Sequence, residues 1–83
     1  MFGKRRDDRT PLERALAAAG GLKAGSWASV QALSLLCIEA KGRPEAHELH
    51  QAALTASTGL LDGSWESVQA LACLARAERE LRS

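Results

Sequence analysis

The sequence predicts an all-α fold of four helices, arranged as two tandem helical hairpins that form a compact bundle or a short solenoid. An internal repeat with a spacing of 38 residues, as from Gly21 to Gly59, predicts the two hairpins. Helix-capping residues at matching places in both copies predict where the helices begin and end. No strand is expected, because β-branched residues are few, Tyr is absent, and no segment alternates apolar and polar residues.

The repeat is strongest in two segments that include a glycine-rich turn and the start of a helix. Residues 21–36 read GLKAGSWASVQALSLL, and residues 59–74 read GLLDGSWESVQALACL. A period of this length is the size of one helix-turn-helix unit, the building block of helical repeat proteins. The structural signature of the repeat consists of Gly21, Gly25, Ser26, Trp27 and Gln31 in the first copy and Gly59, Gly63, Ser64, Trp65 and Gln69 in the second.

The first helix is predicted to begin at about Pro11. Residues 10–13, Thr-Pro-Leu-Glu, form a capping box with proline at the first helical position. The helix is expected to end at Gly20-Gly21, because a left-handed C-cap favours a residue without Cβ. Leu22 then lies where such a cap makes its apolar contact. Apolar residues at steps of three and four predict a core-facing stripe that comprises Leu12, Ala15, Leu16 and Ala19.

The second helix is predicted to run from Trp27 to about Lys41 and to stop at Gly42, with Ser26 as its N-cap. Its apolar stripe comprises Trp27, Val30, Leu33, Leu36 and Cys37. Each repeated tryptophan is expected to pack as a wedge between neighbouring hairpins, because large aromatic side chains dominate small cores. An exposed recognition platform is the alternative interpretation of both rings.

The second hairpin follows the same plan. Pro44 opens the third helix, which is expected to end near Ser57 with Gly59 as a left-handed cap. Ser64 caps a fourth helix that runs from Trp65 towards Leu81. The predicted stripes comprise Ala46, Leu49, Ala53 and Leu54 on the third helix and Trp65, Val68, Leu71, Leu74 and Ala75 on the fourth. One domain, 10–83, is therefore predicted, with hairpins at about 11–41 and 44–81 after a flexible charged tail, 1–9.

Composition excludes several classes of protein. With 46% apolar and 25% charged residues the chain is too hydrophobic for intrinsic disorder, and its net charge of +1 argues against a dedicated polyanion binder. No apolar run approaches the ~18 residues of a membrane span, and the N-terminus lacks the apolar region of a signal peptide. No membrane association is therefore expected.

The glycine-rich turn followed by tryptophan at a helix start carries a family resemblance. Over about residues 11–82 the chain resembles two units of an α-helical repeat of the HEAT or tetratricopeptide type. It departs from the tetratricopeptide pattern at Gln31 and Ser34, where that family has Gly and Tyr. Residues 62–65, Asp-Gly-Ser-Trp, also resemble repeats of terpene cyclases and related α/α toroids, but the nearest upstream glutamine, Gln51, is too distant for that pattern. The resemblance implies stacked helical hairpins.

Three kinds of candidate site have a structural alternative. The two glycine-rich turns could hold anions at helix N-termini, but chain reversal and capping explain their residues more simply. Gln31 and Gln69 could each donate a hydrogen bond to a neighbouring loop or lie in solvent. His47 and His50, at i and i+3, could share a divalent metal with help from a nearby glutamate, but a third ligand would have to come from a partner chain. No metal and no cofactor are therefore expected.

Cys37 and Cys73 are not equivalent in the repeat, and both fall in apolar stretches. A free cysteine in such surroundings behaves as a small hydrophobic residue. Buried, reduced thiols are therefore expected, and they are consistent with a cytoplasmic protein. No base for a catalytic thiol is apparent, so the chain is not expected to be an enzyme.

Two helical repeats are fewer than the three or so that a free-standing solenoid usually needs, because end repeats expose an apolar flank. The sequence therefore predicts a non-enzymatic protein-interaction or assembly module, with a protein partner or a homo-oligomer. The apolar residues expected to remain outside the core and to form its contact surface are Leu35, Ile38, Leu60 and Leu61.

The alternative is a small nucleic-acid-associated regulator that uses the basic N-terminal tail and the Arg-rich C-terminus. Nucleic acid is the less favoured partner, because the second helix has no basic residue before Lys41 and the fourth has none before Arg76.

Overall fold

The computed structural model describes residues 8–83, which contain four α-helices in the order predicted. They are α1 (Pro11–Gly21), α2 (Trp27–Glu39), α3 (Glu45–Thr58) and α4 (Trp65–Arg82). No residue between 8 and 83 lies in a β-strand, so the predicted all-α class is confirmed. Most of the predicted tail, including Lys4, falls outside the described residues. None of the four helices is both long and apolar enough to cross a bilayer.

Helix α1 begins with the predicted capping box. The amide of Glu13 donates to Thr10 Oγ1 at 3.2 Å, and the amide of Thr10 donates to Glu13 Oε1 at 2.9 Å. These two bonds satisfy amide groups that have no partner within the helix. They also lower the pKa of Glu13, chiefly through the bond from the Thr10 backbone, because each favours the charged carboxylate.

Helices α2 and α4 begin with the same reciprocal pair of serines. The Ser29 amide donates to Ser26 Oγ at 3.2 Å, and the Ser26 amide donates to Ser29 Oγ at 3.1 Å. In α4 the Ser67 amide donates to Ser64 Oγ at 3.1 Å, and the Ser64 amide donates to Ser67 Oγ at 3.2 Å. The predicted caps Ser26 and Ser64 are thus confirmed. The second serine of each pair is not in the prediction, although both copies show the pattern Ser-Trp-x-Ser.

The predicted left-handed caps at Gly21 and Gly59 are wrong. Gly59 has φ of −95°, and within residues 8–83 only Gly42, at +92°, and Gly63, at +154°, have positive φ. After α1 the chain continues in an extended conformation at Leu22, which is 74% exposed. A left-handed turn occurs at Gly42, after α2. Helix α2 ends at Glu39, slightly before the predicted end at about Lys41.

The core lies between the two hairpins rather than within them. Helix α2 packs against both α3 and α4, while α1 contacts α2 alone. We use the term joint for this contact between the two hairpins, and two clusters of buried residues fill it. The first cluster consists of Val30, Ala53, Ala70 and Leu74. The second cluster consists of Cys37, Ala40, Ala46 and Ala77.

Two predicted stripes do not face this core. Helix α1 has no buried residue, because its apolar side meets only α2. On α4 the stripe is correct at Leu71 and Leu74, but Trp65, Val68 and Ala75 are exposed. The residues that α4 buries are Ser67, Ala70, Leu74 and Ala77. Helix α4 thus presents several small side chains to α2, which permits a close approach. Leu71, Leu74 and Leu81 pack against the two clusters, while Trp65 and Val68 point away from the core.

Candidate interaction surfaces at the two ends of the chain

Trp27 holds the joint between the hairpins. Its half-buried ring packs against the first cluster, and its Nε1–H donates to the backbone oxygen of Leu61 at 3.0 Å, in the loop before α4. This is the wedge position predicted for the repeated tryptophan. A hydrogen bond to a neighbouring loop is one of the two interpretations of Gln31 given above, but the bond that the structure shows comes from Trp27.

Trp65 occupies the equivalent place in the second hairpin, but its side chain is 85% exposed. Val68 is 54% exposed, whereas its counterpart Val30 is fully buried. The wedge prediction is therefore wrong for Trp65 within a single chain, because no third hairpin follows to cover it in residues 8–83. We use the term C-terminal face for this exposed side of α4, which comprises Trp65, Val68, Ala72, Ala75 and Arg76.

A second set of uncovered residues lies at the opposite end of the chain. The second hairpin packs onto α2 through Ala53, Leu54, Leu60, Ala70 and Leu74. The counterparts of these residues in the first hairpin are identical in type, and none of them is buried. We use the term N-terminal face for this surface, which comprises Ala15, Leu16, Leu22, Ala32 and Leu36.

The four residues predicted to form the contact surface divide into two pairs. Leu35 and Leu61 are 43% and 90% exposed, as expected for residues left outside the core. Ile38 and Leu60 instead pack against the second and first clusters, so the expectation is wrong for them. Both belong to the joint between hairpins, which the apolar pattern of single helices does not reveal.

Trp65 and Val68 are absent from the predicted contact surface. The signal that identifies them is the repeat itself. Trp27 and Val30 contact the second hairpin, and their counterparts Trp65 and Val68 have no further hairpin to contact within residues 8–83.

A shallow groove runs between α1 and α3, which do not contact each other. Its volume is about 400 Å³, and its walls are mainly apolar, with Leu16, Leu33, Leu49 and Ala52 among the lining residues. A wider depression of about 700 Å³ follows near Gly25 and Leu60. These concavities are places where an extended peptide could lie, although their walls carry few groups that would orient a ligand.

The two histidines are not brought together as a metal site. His50 Nε2 lies 3.5 Å from Glu78 Oε2 on α4, while His47 is exposed. Within residues 8–83 no group of three or more His, Cys, Asp or Glu side chains is placed to hold a metal ion. His50 thus contacts the neighbouring helix, a structural role in the second hairpin.

Cys37 is fully buried, and its Sγ lies 3.2 Å from the backbone oxygen of Ala46, to which the thiol donates. Burial raises the pKa of this thiol, because the thiolate is poorly solvated there. Cys73 is half-buried. The prediction of a buried thiol is confirmed for Cys37 and is only partly met at Cys73.

The glycine-rich turn before α4 uses its amide groups internally. The amides of Gly63 and Ser64 both donate to Ser67 Oγ, each at 3.2 Å. Groups that could bind an anion at this helix start are therefore engaged by the cap, which favours the structural interpretation of the turn. Gln69 is exposed, and Gln31 is half-buried.

No protein-family model, curated protein or solved structure matches the chain. The resemblance to HEAT and tetratricopeptide repeats therefore stays a prediction, and the candidate surfaces depend on their own geometry.

Proposed function

We propose that this chain is a non-enzymatic protein-interaction and assembly module whose principal contact surface is the C-terminal face. The observation that carries the proposal is the 85% exposure of Trp65 at a position where the equivalent Trp27 packs and donates a hydrogen bond. Tryptophan is among the residues most enriched at the energetic centres of protein interfaces. Together with Val68 it forms an apolar patch that contact with a partner would remove from water.

The composition of the core supports the proposal. The largest fully buried side chains are those of Val30, Cys37, Ser34 and Ser67, whereas Leu22, Leu61 and Trp65 are exposed. Much of the large apolar surface of this chain thus lies outside its own core. A partner that covers the C-terminal face would add burial where the isolated chain has little.

The resemblance to HEAT and tetratricopeptide repeats points in the same direction. Stacked hairpins of that kind create extended concave surfaces to which other proteins bind. The groove between α1 and α3 would be part of such a surface. The buried thiol of Cys37 fits a reducing compartment, so we place the module in the cytoplasm.

The nucleic-acid alternative has weaker support. At the end of α4, Arg76, Arg79 and Arg82 alternate with Glu78 and Glu80, and in the N-terminal tail Asp7 and Asp8 lie beside the basic residues. Mixed charges at this spacing make a poor track for phosphates.

Photo-crosslinking tests the proposed function. A benzophenone amino acid at Val68, in the cells that naturally produce the protein, is expected to give a defined adduct, whatever the mass of the partner. Trp65→Ala in the same chain should abolish the adduct. Glu66→Ala, at the exposed neighbouring residue, is the matched control and should retain it. An adduct unaffected by Trp65→Ala, or no adduct, would contradict the proposal.

A further inference from the structure

We infer that the partner of the C-terminal face is the N-terminal face of a second copy of this chain. The chains would then associate head to tail and continue between molecules the packing that joins the two hairpins within one molecule. This inference rests on the proposed function, and it adds the identity of the partner and the orientation in which it binds.

The residues of the first cluster, which form the apolar half of the joint, have repeat counterparts on the C-terminal and N-terminal faces. Within the chain the first cluster brings Val30 together with Ala53, Ala70 and Leu74. The counterpart of Val30 is Val68, on the C-terminal face. The counterparts of the other three residues are identical in type and lie on the N-terminal face: Ala15, Ala32 and Leu36.

The partly buried residues around this cluster follow the same rule. Trp27, Leu54 and Leu60 pack against it. Each has an identical counterpart at a free end, namely Trp65, Leu16 and Leu22, of which Trp65 and Leu22 are exposed. A second copy could therefore cover Trp65 and Val68 with the same set of side chains that covers Trp27 and Val30. Close packing of this kind depends on the shape and volume of the side chains, which identical residues supply.

The hydrogen bond of the joint can also be repeated. Trp27 Nε1 donates to a backbone oxygen, that of Leu61, so the bond does not depend on the side chain at the acceptor position. The equivalent position in the first hairpin is Lys23, which lies in an exposed loop. In a head-to-tail pair the indole of Trp65 would donate to the backbone oxygen of Lys23 in the second copy.

The second half of the joint differs in chemistry between the inside and the ends of the chain. Within the chain this half packs around the second cluster and is apolar. The equivalent positions at the ends carry charged residues: Arg76 and Glu78 on the C-terminal side, and Asp8, Glu39 and Arg43 on the N-terminal side. Each side thus carries both signs, and a head-to-tail contact would have to pair Arg76 with Asp8 or Glu39, and Glu78 with Arg43.

The inferred interface is heterologous, since two different faces meet. Each copy in a pair therefore keeps one free face, and further copies add until the assembly closes into a ring or continues as a filament. Contact between two C-terminal faces would instead give a closed dimer.

Light scattering after size-exclusion chromatography of the purified full chain tests the inference over a range of concentrations. Trp65→Ala blocks the C-terminal face, and Ala32→Glu places a charge on the N-terminal face. Both positions are exposed, so both variants should fold, which circular dichroism checks. The matched control is Ala28→Glu, the same substitution one turn earlier on α2, at an exposed position whose counterpart is the exposed Glu66.

The wild-type chain and Ala28→Glu are expected to show an average mass that rises with concentration. Trp65→Ala and Ala32→Glu should each remain monomeric alone. Mixed in equal amounts, they should form a pair with twice the mass of either variant and nothing larger, because one partner supplies an intact N-terminal face and the other an intact C-terminal face.

Three results would overturn the inference. They are a monomeric wild-type chain at every concentration, a dimer of Ala32→Glu alone, and a mixture of the two variants that stays monomeric. The crosslinking result then separates the two proposals. A Trp65-dependent adduct with a different protein would leave the proposed function standing while the head-to-tail inference fails, whereas the absence of any such adduct would remove both.

Discussion

At the scale of single residues, Trp27 and Trp65 show that identical local sequence can have different consequences. Both follow a serine N-cap at the start of a helix, and both begin the same apolar stripe. Trp27 has a neighbouring hairpin to pack against and a loop oxygen to bond. Trp65 has neither within the described chain and is 85% exposed. The environment of each ring therefore depends on its place in the stack of hairpins.

This difference predicts unequal effects on stability. Trp27→Ala should lower the free energy of unfolding by about 3 kcal/mol, through lost burial and the lost hydrogen bond to the Leu61 carbonyl. Trp65→Ala should change it by no more than about 0.5 kcal/mol, as expected for an exposed side chain. Urea denaturation of dilute protein measures both values. Equal losses from the two substitutions would show that Trp65 also packs in the isolated chain.

The glycines provide a second comparison between residues. Gly42→Ala should cost about 1–2 kcal/mol, because φ of +92° brings Cβ close to the following carbonyl oxygen. Gly21→Ala should be neutral or slightly stabilising, since Gly21 ends a helix without positive φ and a Cβ there would meet no atom within 4 Å. Thermal unfolding of the two variants checks this order. A larger loss at Gly21 would restore the left-handed cap that the sequence predicted there.

At the scale of elements, α1 is distinct from the other three helices. It has a complete capping box and an amphipathic sequence, yet it buries no residue and contacts only α2. Tertiary packing supplies most of the stability of a short helix in a protein. The stability of α1 therefore depends on its caps and on any partner that covers the N-terminal face.

Hydrogen exchange should reveal this weakness. In dilute protein the amides of α1 are expected to exchange faster than those of α2, because local opening there breaks few buried contacts. At concentrations where chains associate, α1 should become more protected, since the inferred partner covers it. Trp65→Ala is the control and should show no such gain. Protection of α1 equal to that of α2 in dilute protein would contradict the assignment of α1 as a weakly held element.

At the scale of the whole molecule, the chain is elongated, with extents of 49 × 28 × 18 Å. Its core is one joint between two hairpins, and a copy of half of that joint is exposed at each end. Terminal repeats of solenoids usually carry polar outer faces that prevent continued stacking. The uncovered apolar surface of residues 8–83 differs from that pattern, and the inferred head-to-tail association is based on this difference.

The melting temperature should therefore depend on protein concentration. Association that binds only folded chains stabilises them by mass action, and each kcal/mol gained raises the melting temperature of a domain of this size by roughly 4–8 °C. Calorimetry of the wild-type chain at low and high concentration is expected to show this rise. For Trp65→Ala the melting temperature should be constant, and a rise of equal size in that variant would point to another contact surface.

Local signals were sufficient for much of the fold. The capping box at Thr10 and the serines at positions 26 and 64 place three helix starts within one residue, because a cap acts on amide groups only a few residues away. The ends of helices are less well predicted. Whether Gly21 or Gly42 adopts positive φ depends on where the next helix must go, which neighbouring residues do not encode.

The candidate surfaces were predicted only in part, and Ile38 and Val68 show why. Both are apolar residues on amphipathic helices, and each was given the opposite environment from the one it has. A helical stripe shows which residues share a side, but not which of two neighbouring sides meets a partner.

By itself, the sequence of this protein determines four helices, their starts and the tandem repeat, because these depend on interactions over a few residues and on copied segments. Only the tertiary structure decides that α2 lies between α1 and the second hairpin, and hence that Val30 is buried while Val68 is not. Burial depends on contacts between residues that are far apart in the chain. Identical residues therefore differ in burial when one of them contacts a neighbouring hairpin and the other does not.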